Sequence, residues 1–276
     1  MNNDIKSLTI QEAAKIFVDE SPEFLAKGYL AGANSHKIEL SNRAQGGSYL
    51  SSILYLLQSD LSGFNVCPYA TESCKEICLG TCSGHAAMIK KGEKTNNVQL
   101  ARLRRTLLLK NHKGLFMSKL ENELNNLVKR AKGKGVTPAF RFNGTSDLAV
   151  ENMGLMEKYP QVQFYDYTKS FTRMSKFLAG DMPTNYHLTY SYTPENAKYA
   201  TLVLRMGGNV AVIFDSKNPE DFVGKKSQNG SPIISGDDHD LRFEDPQGGY
   251  IIGLTRKGHH KSTKGMFVNP NRLLKA

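Results

Sequence analysis

The 276-residue chain has no tryptophan, and it has no apolar run near the ~20 residues that a membrane span needs. The longest candidate, residues 50–57, is broken by Ser51 and Ser52. The first six residues are polar and hold no signal-peptide apolar core. The chain therefore reads as a soluble protein of a reducing compartment, with no membrane partner. No Gly-rich dinucleotide fingerprint follows any strand-like run, and no P-loop is present. Cysteine is scarce, only four residues, and none forms the two-residue knuckle usual for structural zinc.

All four cysteines fall inside 16 residues, in the stretch CPYATESCKEICLGTC. Cys67, Cys74, Cys78 and Cys82 are separated by six, three and three residues. Disulfides are disfavoured in a reducing compartment. Structural core cysteines would be spread over several elements rather than packed into one polar loop. Three-residue gaps put Cys74, Cys78 and Cys82 on one stripe of a helical backbone, and a compact loop of this kind can deliver thiolates to a cubane. An iron–sulfur cluster, [4Fe-4S], is the leading reading, with zinc as the alternative.

The net charge of +10 favours anionic partners, whether nucleotide, nucleic acid or another anion. A solubilising surface explains the same charge. Lys90, Lys91, Lys94, Arg102, Arg104, Arg105, Lys110 and Lys113 follow the cysteines, and a last basic group, including His259 and His260, lies near the end.

Hydrophobic period organises the rest. Residues 9–19 read as an amphipathic helix with Thr9 and Glu12 at capping-box spacing. Two further helices are expected at about 95–110 and 115–132. Four strand-like runs then begin near Pro138, Val162, Tyr186 and Asn209, about 24 residues apart, with helix-like stretches at 146–158, 171–178 and 194–206 between them. A further run at 250–255 adds a strand. Such alternation implies parallel strands with right-handed crossovers. The predicted fold is α/β, a full or partial (βα) barrel with the Cys-rich loop after the first strand. A flat doubly wound sheet is the alternative. Residues 1–44 are expected to form an N-terminal helical segment packed on a single domain of residues 45–276. The polar, turn-rich residues 215–236 read as an excursion or lid.

Other candidate site residues lie at strand ends, where α/β folds carry their chemistry. Asn143, Thr145 and Asp147 follow the first of the four runs and suit either a capped turn or a ligand loop. Asp166 and Lys169 mark the second, His187 the third. A carboxylate within a buried strand is costly unless paired, and Arg141, Lys169 or Arg173 are the candidate partners of Asp166. The acidic stretch with Asp237, Asp238, His239, Asp240 and Arg242 suits cofactor contact, a hard cation or acid–base work; a metal-dependent nuclease using Asp237, His239 and Asp240 is one reading.

The order of segments resembles the phage-encoded gene product 88-type proteins. The matching pieces are the loop from Cys67 to Cys78, the 97–105 helix, RFNGTSD from Arg141, FYDYTK from Phe164, NYHLT from Asn185, NVAV from Asn209 and GDDHDLRF from Gly236. The resemblance implies a phage or prophage origin and the cytoplasm of an infected bacterial host. It also implies that Cys67, Cys74 and Cys78 are the firmer ligands and Cys82 the variable one. A cluster loop ahead of βα units looks in plan, though not in spacing, like radical S-adenosylmethionine enzymes. That plan implies S-adenosylmethionine as a second cofactor, with Asp147, Asp166, Lys169 and His187 catalytic. The rival expectation is a nucleic-acid-binding phage protein with a structural metal.

Overall fold

A computed structural model describes residues 3–32, 36–82, 84–257 and 268–269. Eight strands form one sheet: β1 (Ala31–Gly32), β2 (Tyr49–Leu54), β3 (Thr137–Arg141), β4 (Gln163–Thr168), β5 (Tyr186–Ser191), β6 (Val210–Phe214), β7 (Ile233–Ser235) and β8 (Ile251–Thr255). Their order is β1-β2-β3-β4-β5-β6-β8-β7. Every pair is parallel except β1 with β2. The α/β class and the parallel sheet stand as the sequence predicts. No strand pairing joins β1 to β7 among the described residues, so the order is open.

Side-chain parity splits the sheet into two faces. Phe140, Phe142, Phe164, Leu188, Tyr190, Val212 and Phe214 belong to the main core, together with the helices. The helix Asn97–Asn111 adds Leu100, Leu103, Leu107 and Leu108, and Lys113–Lys134 adds Phe116, Leu120, Leu124 and Leu127. The latter ends at Gly135, whose φ of 66° is a left-handed conformation that glycine adopts without steric cost. On the other face, Ala139 and Tyr165 pack with Leu241, Tyr49 and Phe243. Residues 237–245 thus cover the face that the helices leave open.

The predicted capping box is present, Thr9 and Glu12 exchanging bonds at the start of Ile10–Phe17. Helices Phe171–Ala179 and Ala197–Arg205 fall where expected. The stretch 146–158 is mostly not helix: it holds a 3-10 turn, Val150–Met153, and the short helix Leu155–Lys158. The cause is local: Asn143 Oδ1 accepts from Ser146 Oγ at 2.7 Å and Leu148 N at 2.9 Å, which holds residues 143–148 as a loop. Two strands escape the sequence reading. β1 arises in the N-terminal segment and pairs with β2, and β7 arises within the 215–236 excursion and pairs with β8. The cysteine loop accordingly follows the second strand. Among the described residues no helix is long and apolar enough to cross a membrane.

Candidate active site at the carboxyl ends of the parallel strands

β3, β4, β5, β6 and β8 deliver their carboxyl ends to one cavity of about 210 Å³. Cys67, Cys74 and Cys78 line it beside Arg141, Asn143, Thr145, Asp147 and Lys169. Its apolar wall includes Ile77, Ile213 and Leu254. A wider depression of about 510 Å³ lies at the amino ends of β4 and β5, lined by Met156, Pro160, Met182 and Asn185 among others; it gathers no cysteine, lysine or arginine.

The cysteine loop is built against the strand ends by specific bonds. Cys67 Sγ accepts from Ser59 N at 3.3 Å and donates to Thr145 O at 3.5 Å. Cys78 Sγ accepts from Gly80 N at 3.4 Å. Thr71 caps the short helix Glu72–Glu76, accepting from Cys74 N. Ser73 donates to Glu195 through both N, at 3.1 Å, and Oγ, at 2.7 Å. These bonds, with its own N–H and the Thr193 side chain, outweigh Glu195's desolvation and hold its carboxyl down at about 2. Arg102 Nη1 donates to Gly80 O at 2.8 Å and its guanidinium lies 5.1 Å from the Tyr55 ring centre. Burial pushes the Cys67 thiol up to about 12; the nearby Cys78, Asp147 and Cys74 push the same way, and the Ser59 N–H opposes them. Cys74 and Cys78 therefore both lie within electrostatic reach of Cys67. Among the described residues, no three His, Cys, Asp or Glu side chains are grouped as they would be around a single ion. Cys82 ends the helix Leu79–Cys82, and its side chain lies outside the described residues.

The loop of residues 143–147 is held from below. Asp166 is buried, accepting from Asn143 N at 2.6 Å, Asn143 Nδ2 at 3.1 Å and the Tyr186 hydroxyl at 3.1 Å. Burial raises its carboxyl to about 7, against the pull of Arg141, these donors and Arg173. Its partners are thus the loop's Asn143 and the Tyr186 hydroxyl of β5, and it stands behind the cavity wall, not in it. Thr145 Oγ1 donates to Leu56 O at 2.6 Å, and Gly144 N to Leu54 O at 3.0 Å. A Cβ on Gly144 would stand 2.5 Å from Leu54 O, so only glycine lets the two segments meet.

Asp147 Oδ1 accepts from Arg173 Nη1 at 2.7 Å and Oδ2 from Lys169 N at 2.8 Å. Burial nevertheless pushes its carboxyl up. Arg173 also forks onto Glu151 at 2.9 and 2.8 Å. Lys169 Nζ donates to Ser191 Oγ at 2.9 Å.

His187 and the acidic stretch lie away from the cavity lining. His187 packs edge-on against Phe177, its Nε2 has no hydrogen-bond partner among the described residues, and burial, then Arg242, lowers it to about 4. Asp240 is fully buried and pairs with Arg141 at 2.8 Å, its N–H bonded to Ser41 Oγ. Arg242 pairs with Asp245 at 3.2 Å and donates to the His239 carbonyl. Asp237 accepts from Thr255 N and Oγ1, both at 2.7 Å, and pairs with Lys257 at 3.2 Å. Asp237, Asp240 and Asp245 thus each have a cation, and among the described residues Asp237, His239 and Asp240 are not grouped as one ion's ligands. On the basic helix, Arg104 lies over Phe24 and Arg105 donates to the carbonyls of Tyr29 and Tyr55. His259 and His260 lie outside the described residues.

Sequence reasoning brought Asn143, Thr145, Asp147 and Lys169 to one place with the cysteines. It missed Arg141 as a lining residue and Arg102 and Glu195 as anchors of the cysteine loop. The order of these site segments along the chain is also what a family comparison reads. A model of the family described as gene product 88 matches residues 26–269. The chain belongs to the gene product 88 family. The match runs from ahead of β1 to beyond β8 and so spans the whole sheet and the cysteine loop. No curated protein and no solved structure matches the chain.

Proposed function

We propose that this gene product 88 protein is an iron–sulfur enzyme, with Cys67, Cys74 and Cys78 holding a [4Fe-4S] cluster at the carboxyl ends of the parallel strands. The observation that carries the reading is that three cysteines of one loop meet Asn143, Asp147 and Lys169 around a single cavity. A stabilising staple has no need of a cavity lined by charged side chains. The donor set fits the group. Backbone N–H groups already reach Cys67 and Cys78, and hydrogen bonds to sulfur stabilise thiolates and tune clusters. A single zinc ion would draw its sulfurs to about 3.7 Å of one another, given Zn–S bonds of about 2.3 Å, and a cubane spreads them wider. When bound, the cluster supplies one-electron chemistry.

The chain's own residues do the rest. Arg102 and Glu195 fix the loop, Asp166 and Tyr186 fix residues 143–147, and Lys169 presents charge to the substrate beside Asp147, which Arg173 holds. Three protein thiolates suit a cubane that takes another ligand from a small molecule, of which S-adenosylmethionine is the candidate. The sequential order from β2 to β6 supports a partial barrel. Right-handed crossovers without a reversal of order put the helices on one face, and residues 237–245 fill the other. The +10 charge supports an anionic substrate, a nucleotide or nucleic acid among them. Steep loss of binding with salt would mark the latter.

The test is electron paramagnetic resonance on anaerobically purified, reduced protein, with and without S-adenosylmethionine. A cluster signal that changes on adding the cofactor is expected. A cluster signal that ignores it would remove the S-adenosylmethionine reading, and no cluster signal would remove the enzyme proposed here.

A further inference from the structure

Two cations line the cavity from adjacent strands. Arg141 ends β3, and Lys169 follows the last residue of β4. Arg141 donates from Nη1 to Asp240, while its Nε makes no hydrogen bond among the described residues. Its guanidinium is held in place from two sides, by Asp240 and by the Tyr167 ring 4.5 Å away. Lys169 Nζ bonds a neutral hydroxyl, that of Ser191, and forms no ion pair among the described residues. The carboxylate on the lining, Asp147, is engaged by Arg173 and by the Lys169 backbone N–H. Both cations therefore keep donors for a further acceptor, and a planar guanidinium fork and an ammonium lining one cavity suit a carboxylate or a phosphate. The remaining wall, with Ile77, Ile213 and Leu254, is apolar. At about 210 Å³ the space is below the roughly 300–1,000 Å³ of pockets that take drug-sized ligands.

We propose that Arg141 and Lys169 form an anion clamp for a small organic ligand, its carboxylate or phosphate head on the two cations and a short apolar body against Ile77, Ile213 and Leu254. This names the substrate class of the cavity proposed above and relies on that reading only for the chemistry done there. The clamp itself needs no metal.

The experiment is thermal unfolding of the full chain titrated with inorganic phosphate and, separately, with butyrate, against sodium chloride of equal ionic strength. The expected result is a saturable rise in Tm with at least one of the two anions beyond that given by chloride. Phosphate alone raising Tm would assign the head as a phosphate; butyrate alone, as a carboxylate. Lys169→Met should weaken the response about tenfold or more, the loss of one charge-assisted hydrogen bond. Lys169→Gln, which keeps a donor toward Ser191, gives the same comparison if the Met variant does not fold, and Lys169→Arg should restore binding. A wild type indifferent to both anions, or a Lys169→Met or Lys169→Gln response equal to wild type, would overturn the clamp. Iron measured in the same samples separates the two claims: an iron-free protein that binds anions contradicts only the cluster, and a loaded protein that ignores them contradicts only the clamp.

Discussion

Residues 67–82 and residues 237–245 look alike in composition, each a short stretch dense in metal-ligating side chains. Around the sheet they are opposites. In the acidic segment three carboxylates are matched by cations: Asp240 with Arg141, Asp245 with Arg242, Asp237 with Lys257. In the cysteine loop the sulfurs meet at a cavity, and the charged anchors, Arg102 and Glu195, hold backbone and a serine rather than the thiols. A carboxylate held by a cation inside the fold is not free to ligate a metal ion. The acidic segment closes one face of the sheet, and the cysteine loop leaves a site open at its end.

This contrast is sharpest in the cost of mutation. Asp240→Ala strips the counter-ion from a buried arginine and should lower stability by about 3–5 kcal/mol in chemical denaturation. In metal-free protein, Cys78→Ser should leave the denaturation midpoint near wild type. Equal losses in the two variants would erase the distinction. The next effect is a pH dependence on the enclosed side. His187 is held neutral, its pKa lowered from 6.5 to about 4 by burial and Arg242. Between those values the unfolded chain binds the extra proton, so stability rises with pH from about 4 to 6.5 and is complete above it. His187→Gln should flatten that rise, worth up to about 3 kcal/mol. An unchanged slope would mean that His187 does not carry it.

On the open side, Gly144→Ala should cost about 1–3 kcal/mol by overpacking against Leu54 O and should also lower iron retention, because the 143–147 loop backs the cysteines. Stability lost with iron fully retained would uncouple the loop from the site. The smallest effect belongs to Glu195, which is exposed. Glu195→Gln should speed thiol labelling of Cys74 and Cys78 in metal-free protein and leave Cys67, held by Ser59 and Thr145, unchanged. Uniform labelling of all three would remove Glu195 as an anchor.

Much of the fold is legible in the sequence because local and tertiary preferences agree there. Val210–Phe214 is apolar enough to be a two-sided strand, and Thr9 with Glu12 announces a helix start. β1 and β7 are short edge strands, made by pairing with neighbours rather than by any pattern of their own. Of the site, Asn143, Asp147 and Lys169 follow from their places at strand ends. Asp166 and His187 share those strands, yet their parity and partners turn them into support. Arg102 reads as part of a basic surface and Arg141 as a partner for Asp166, because nothing local tells that Arg141 meets Asp240, 99 residues away, and Arg102 meets Gly80.

The most direct test of the cysteine site is iron, sulfide and zinc analysis with a visible absorption spectrum on protein purified without oxygen. The account predicts a brown protein with about four iron and four sulfide per chain, lost in Cys67→Ser. A colourless protein with about one zinc per chain would contradict it.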